Sequence, residues 1–378
     1  MAKKLLFILN EPTYFVSHRL PIACAARDAG YMIYIATGDA IAPKKITEEG
    51  FVYYQIPLSR NGRNIFAEFT SLIAIYRLMR HLKPDLVHLV TIKPVLYGAI
   101  AARFARVPAV VAAVSGLGYA FIEQYFEAKL LKFLVQRLYR AAFRHKNLQV
   151  IFQNSDDERT LLNMGVLNKN QSNLIRGSGV DLSYYCQSAE PCSPPFVVVM
   201  ASRLLRNKGV MEYVAATQLL RARGINARFW LAGHPDQGNP TSIDEQQLRM
   251  WIKNQDIEYL GYCQDIPRLF SQVHLVVLPS YREGLPRVLV EAAACGRAVI
   301  TTDVPGCRAA ITPGKTGLLV KVKDPSSLAN AIYTLLTNHS LRQAMGVEGR
   351  KLAEHEFNIT KIVEQHTKIY QMIVGHNN

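Results

Sequence analysis

The chain has 378 residues, 49% of them hydrophobic and 19% charged. That composition excludes a disordered polypeptide, and the length exceeds one ordinary core and suits two domains of roughly 150–200 residues. The net charge of +15 is lopsided: residues 1–180 carry 23 Lys/Arg against 12 Asp/Glu, residues 181–378 carry 21 against 17, so the first half points to an anionic partner. Six scattered cysteines with no C-x-x-C pair argue against a disulfide frame or zinc site and for reduced thiols in a cytosol.

The opening MAKKLLFILNEP imitates an export signal, but its apolar run, residues 5–9, is shorter than the roughly 7–15 residues such a segment needs. It reads as a first buried strand. Apolar runs at 32–36, 86–90, 109–114 and 148–152 continue the series, with helical spacing at 64–82 and 124–146. The longest uncharged stretch, 107–122, contains Pro108, Gly116 and Gly118 and falls short of the roughly 20 apolar residues of a membrane span. The expectation is a chain neither exported nor spanning. After YYCQSAEPCSPP (184–195), read as a linker, strands resume at 196–201, 228–233, 274–279 and 298–302. Strands apolar on both faces and alternating with helices imply doubly wound parallel sheets. Ligands of such sheets bind beyond the carboxyl ends of the strands, so a cleft between two facing domains is expected to hold the site.

Two motifs sit at those strand ends. In SYREGLPRVLVEAAACG (280–296), Glu283 falls on the loop after a strand, where it can meet a hydroxylated ligand. Gly284 lets the backbone approach that ligand, and amides near Arg287–Leu289 can hold a phosphate at the helix start. Glu291, one turn in, can accept from a ribose diol, and the alanines after it let the helix pack closely on the sheet. On spacing alone, Glu283 as a helix cap and Glu291 as a surface charge stay open. In MASRLLRNKGV (200–210), Arg203 and Lys208 can converge on one anion, a forked guanidinium plus a point ammonium suited to a departing diphosphate. A solvated basic loop is the plainer reading.

Both motifs, in this order, resemble the retaining GT-B glycosyltransferases of family 4, and the resemblance covers nearly the whole chain. NLIRGSGVD (173–181) is similar to that family's interdomain strand and turn, SRLLRNKG to its diphosphate-binding motif, and REGLPRVLVEAAACGRAVITTDVPGC to its E-x7-E signature. The resemblance implies two Rossmann-like domains, 1–180 for the acceptor and 181–358 for the nucleotide sugar, with a tail helix 359–378 packing back on the first. It implies that Arg203 and Lys208 neutralise the donor diphosphate, Glu283 contacts the donor sugar and Glu291 holds the ribose. Gly284, Leu285, Val288 and Leu289 belong to the donor site, as does Tyr262 in YLGYCQDI, which offers backbone to the base.

VTIKPVLYGAIAAR (90–103) and AAVSGLGYAF (112–121) resemble the subgroup that extends polyprenyl-diphosphate-linked sugars. Lys93 would face the acceptor diphosphate. Ser115 stands where many relatives carry a histidine, and the leaving phosphate can then take the acceptor's proton. His18, Arg19 and His88 are further acceptor or phosphate candidates, with a structural or core role equally open for each. The helix at 125–146 groups Lys129, Lys132, Arg137, Arg140 and Arg144 on one arc with Phe126, Phe133 and Phe143 among them, and Leu130, Leu131, Leu134, Leu138, Ala141 and Ala142 opposite. A basic face with aromatics suits an anionic membrane surface.

The expectation is therefore a metal-independent, retaining transferase, peripheral on the inner face of the plasma membrane. It would move a sugar, an N-acetylhexosamine, from a UDP-sugar to an undecaprenyl-diphosphate-linked saccharide for surface polysaccharide, with no cofactor and no nucleic-acid partner. The alternatives are a UDP-sugar 2-epimerase, which needs acid/base groups in the acid-poor first half, and a non-enzymatic anion-binding protein, which leaves Glu283 and Glu291 without a purpose.

Overall fold

The computed structural model describes residues 2–58, 65–117, 128–191, 195–236 and 238–375. The chain forms two compact units, Met1–Ser178 with Thr360–Asn378, and Gly179–Ile359.

Among the described residues the first unit holds seven parallel strands: β1 (Lys3–Ile8), β2 (Tyr31–Thr37), β3 (Val52–Gln55), β4 (Leu86–Val90), β5 (Ala109–Val114), β6 (Leu148–Phe152) and β7 (Ser172–Leu174). Their spatial order is β3-β2-β1-β4-β5-β6-β7. The second unit holds β8 (Phe196–Ala201), β9 (Ala227–Ala232), β10 (Glu258–Gly261), β11 (Leu275–Leu278), β12 (Ala298–Thr302) and β13 (Gly317–Val320), in the order β10-β9-β8-β11-β12-β13. Both are the doubly wound parallel sheets expected. The interior strands are the apolar runs read from sequence. The strands that no apolar run announced, β3, β7, β10 and β13, are the four sheet edges. An edge strand has a neighbour on one side only, so it keeps exposed positions such as Val52, Leu174 and Leu260 and lacks the continuous apolar signature.

Each sheet reverses its winding once, between β1 and β4 and between β8 and β11. These are the switch points where loops leave in opposite directions and a ligand can enter. From the C-terminal helix, Ile362, Ile369, Tyr370 and Ile373 join the first unit's core beside Leu5, Phe7, Phe15 and Ile22.

Two sequence expectations are corrected here. The stretch 184–191 is no linker: it lies inside the second unit. Buried Arg297 donates to Ser188 O, Ser188 Oγ and Ala189 O at 2.6–2.9 Å, and Arg342 reaches Glu190 at 3.0 Å. Its backbone is satisfied by side chains from elsewhere, so it shows no periodicity of its own. Second, the helix Ala128–Ala142 turns a different face inward. Val135, Tyr139, Ala142 and Phe143 pack into the core, at i, i+4, i+7 and i+8. Phe143 is thus a core residue, while Leu138, expected inside, is 38% exposed. Phe133 does stand outside, with the Arg137 guanidinium 4.8 Å from its ring centre. Phe126 lies outside the described residues. Among the described residues no helix is long and apolar enough to cross a membrane.

Candidate active site

At the second switch point the chain leaves β8 through Ser202–Arg203 and a single turn, Arg206–Lys208, before the helix Val210–Ala222. Gly209 caps this turn at φ +81, and a Cβ there would come within 2.1 Å of Pro279 O. Only glycine lets the Lys208 turn sit against the end of β11. Tyr281 N donates to Asn207 O at 2.9 Å, joining the two loops.

That contact brings together residues 75 apart in sequence. Lys208 Nζ donates to Glu283 Oε1, which also accepts from Ser280 Oγ at 2.7 Å. Both charged side chains are largely buried, at 19% and 11% exposure. The loop carrying Glu283 is pressed from behind by Gly306 of the helix Pro305–Ala309, where a Cβ would meet Glu283 O at 2.3 Å and Gly284 C at 2.6 Å. Pinned on two sides, the carboxylate has one place to be.

The helix Arg287–Ala294 follows, with Pro286 as its N-cap. Glu291 Oε1 accepts from Tyr185 Oη at 2.7 Å and from Arg287 Nε at 2.6 Å. Burial pushes its pKa above the usual carboxylate range, against the pull of Arg287 and of the Tyr185 hydrogen bond, so these two donors oppose the desolvation. Glu291 lines a hollow of about 350 Å³ with Ala201, Arg203, Asp236, His234, Tyr262 and Val288, among others, a volume in the range of small-molecule sites. Arg203 Nη1 lies 2.5 Å from Asp236 Oδ2. At the rim, Tyr262 is 69% exposed and its ring stacks on His234, centroids 5.9 Å apart.

The donor-site residues named from sequence therefore divide. Arg203, Tyr262, Val288 and Glu291 line one hollow, and Lys208 and Glu283 form an adjoining pair. Leu289 is fully buried and its amide donates to Pro286 O at 3.2 Å; Leu285 packs against the core. Both side chains anchor this segment on the core. Sequence reading missed Tyr185, Asp236, Ser280 and His234. Arg287 was legible as an i, i+4 partner of Glu291, and Ser280 stands only three residues before its partner Glu283; Tyr185, Asp236 and His234 are distant along the chain from their partners and carried no local signal.

In the first unit, Tyr14 stacks on His18, centroids 4.0 Å apart, and donates to Ser115 Oγ at 3.3 Å. His18 and Ser115 are thus gathered by a tyrosine the sequence did not single out. Lys93, just past β4, pairs with Glu68 at 2.5 Å, both side chains 20% exposed. Between β4 and Lys93, Thr91 holds φ +74, an outlier for a β-branched residue and a mark of a constrained site. Arg19 and His88 are not at any surface. They are 2% and 0% exposed. His88 Nδ1 meets Tyr370 Oη at 2.5 Å and its ring stacks on Phe7 and His366. His88 lies within β4, pointing into the layer filled by the C-terminal helix, so of the two readings the sequence left open for it, site or core, the structure has the core. Burial lowers the pKa of Arg19, and burial with the neighbouring Arg19 charge lowers that of His88.

The arrangement is a cation–carboxylate pair and a hollow bearing a second cation and carboxylate, at a doubly wound switch point. Residues 195–338 match the family Glycosyl transferases group 1, and residues 4–154 match the Glycosyl transferase 4-like family. Together the matches span most of the chain, and it belongs to these group 1, family-4-like glycosyltransferases. It is 28% identical, over 97% of its length and 98% of the relative's, to the N,N'-diacetylbacillosaminyl-diphospho-undecaprenol alpha-1,3-N-acetylgalactosaminyltransferase of Campylobacter jejuni. It is 25% identical, over 85% of the chain and 84% of the relative, to the UDP-Gal:alpha-D-GlcNAc-diphosphoundecaprenol alpha-1,3-galactosyltransferase of Escherichia coli. Among solved structures it shares the GT-B fold with sucrose-phosphate synthase of Thermosynechococcus elongatus (TM-score 0.81, 20% identity, 99% and 100% of the two chains). Anabaena HepE in complex with UDP and glucose is similar too (TM-score 0.78, 20% identity, 98% and 100%).

Proposed function

We propose that this glycosyltransferase moves a sugar, with retention of configuration, from a UDP-sugar to an undecaprenyl-diphosphate-linked saccharide in bacterial surface polysaccharide synthesis. The observation that carries the reading is the Lys208–Glu283 pair set beside the hollow lined by Arg203 and Glu291. The names of the Campylobacter and E. coli relatives support a prenyl-diphosphate acceptor, and the first of them favours an N-acetylhexosamine as the sugar.

In this reading the nucleoside lies in the hollow, its ribose diol donating to Glu291, its base against Tyr262 and His234. The diphosphate meets Arg203 and Lys208, so negative charge growing on the leaving oxygens is met by fixed cations and needs no metal. Glu283 accepts hydrogen bonds from sugar hydroxyls and holds the anomeric carbon toward the acceptor. The acceptor hydroxyl attacks from the face the diphosphate leaves, and a departing phosphate oxygen takes its proton. Lys93 and the Tyr14–His18–Ser115 group serve the acceptor. The exposed Phe133 and Arg137 rest the helix Ala128–Ala142 on the anionic inner face of the plasma membrane.

The test is to incubate the protein with UDP-N-acetylhexosamines, UDP-hexoses and GDP-mannose in turn, each with prenyl-diphosphate-linked N-acetylglucosamine, and weigh the products. One added N-acetylhexosamine, α-linked, is the expected result. A free epimerised sugar without added mass on the lipid would replace transfer by epimerisation. Glu283→Ala should abolish product while the circular dichroism spectrum stays that of the folded protein, with a lowered melt because Lys208 loses its partner; full activity in that variant removes Glu283 from the site.

A further inference from the structure

The loop that bears Asp236 is built more firmly than a surface ion pair requires. Leu204 N donates to His234 O at 2.9 Å, Arg206 N to Thr241 O at 2.7 Å and Ile243 N to Leu204 O at 2.8 Å, and Leu205 pairs with Ser242 as a short antiparallel bridge. The segment is joined to the turn at Leu204, Leu205 and Arg206. Within it, Asp236 N donates to Ser242 Oγ at 3.0 Å, Asn239 N to Asp236 O at 3.0 Å, and Asn239 Nδ2 to Asp236 Oδ2 at 3.3 Å. Thr241 in turn fixes Asn239, donating through N and Oγ1 to its Oδ1 at 3.0 and 2.9 Å. The product of this scaffold is one carboxylate oxygen 2.5 Å from Arg203 Nη1.

Stability does not account for it. Arg203 is 42% exposed and Asp236 25%, and pairs so wetted contribute little to folding. What the pair does control is the guanidinium. Arginine loses several rotamers when it is held, and a bond through Nη1 leaves the edge formed by Nε and Nη2 for a bidentate hold on phosphate.

We infer that Asp236 is a positioning residue for Arg203, orienting its free edge toward the diphosphate and, by offsetting its charge, easing release of the nucleoside diphosphate after transfer. The inference rests on the donor reading proposed above. Its two parts have opposite signs when the carboxylate is removed. Orientation is lost, which slows the chemical step. Attraction for a free anion grows, which tightens product binding. A loop merely damaged would weaken both.

The experiment compares wild type, Asp236→Asn, Asp236→Glu, Arg203→Ala and the double variant Asp236→Asn/Arg203→Ala. UDP release from UDP-N-acetylhexosamine is measured with prenyl-diphosphate-linked N-acetylglucosamine, and UDP affinity by calorimetry. In Asp236→Asn, kcat should fall about tenfold while UDP binds about two- to fivefold more tightly. Asp236→Glu should recover most of the turnover. In the Arg203→Ala background the Asn substitution should add no further loss, because the residue acts only through that arginine. Wild-type turnover in Asp236→Asn, a parallel loss of turnover and UDP affinity, or an additive loss in the double variant would each overturn the inference. Should Arg203→Ala itself retain both turnover and UDP affinity, the donor reading of Arg203 falls with it, a result distinct from failure of Asp236 alone.

Discussion

The two units wind their sheets in the same order around one switch point each, yet they furnish those points with different chemistry. At β8/β11 three cations meet three carboxylates: Lys208 with Glu283, Arg203 with Asp236, Arg287 with Glu291. At β1/β4 the described groups are aromatic and hydroxyl side chains, Tyr14, His18 and Ser115, with one ion pair, Lys93–Glu68. Beneath them lies a buried layer of Arg19, His88 and His366. The lesson is that topology supplies a place, and side chains decide what it can hold. Paired charges that can exchange partners suit a group whose negative charge grows during reaction. Rings and hydroxyls suit a sugar or lipid-linked substrate whose charge stays constant.

The contrast can be broken most sharply by one cation from each unit. Lys208→Ala should lower kcat by about a hundredfold or more, with the acceptor KM little changed. Lys93→Ala should instead raise the acceptor KM about tenfold and leave the donor KM alone. Steady-state kinetics with each substrate varied reads both, and identical patterns in the two variants would erase the division of labour.

A smaller effect separates Glu291 from an ordinary surface carboxylate. Burial raises its pKa, and on the proposed reading the ribose diol donates to the ionised form. Donor KM should therefore climb as pH falls from neutrality into the mildly acidic range, earlier than an unshifted glutamate allows. Glu291→Gln should show a high donor KM that no longer varies over that range. A flat profile in the wild type would remove the ionised carboxylate from donor binding.

The smallest expected effect lies in the first unit's buried layer. Burial holds the His366 pKa down to about 3, from an ordinary 6.5, and His88 is lowered as well. The unfolded chain then binds these protons first. Stability is complete above about pH 6.5 and declines as the pH falls toward 3. His366→Phe, which keeps a ring beside His88, should make the melting temperature fall less steeply with acid; an unchanged slope would place the proton uptake elsewhere.

How much of this was legible depended on sequence distance. The interior strands announced themselves because both faces are buried, and the edges β3, β7, β10 and β13 did not because one side meets solvent. The grouping of Arg203, Lys208, Glu283 and Glu291 at strand ends was readable because each motif is a strand end, a turn and a helix start within about a dozen residues of chain. Tyr185, Asp236 and His234 were not, since each reaches its partner only after the sheet has closed. His88 stayed ambiguous for the same reason. A polar residue in a strand looks like a site until the element covering it is known, and here that cover is Tyr370 and His366 from the far end of the chain.

Sequence by itself determined the alternation of buried strands and helices, the excess of positive charge in the first half and the two motifs at strand ends, because each is a property of neighbours along the chain. Only the tertiary structure decided which cation meets which carboxylate, which face of the helix Ala128–Ala142 is buried, and that Arg19 and His88 are interior. Those outcomes depend on groups dozens to hundreds of residues apart losing water together, a condition that no local pattern encodes.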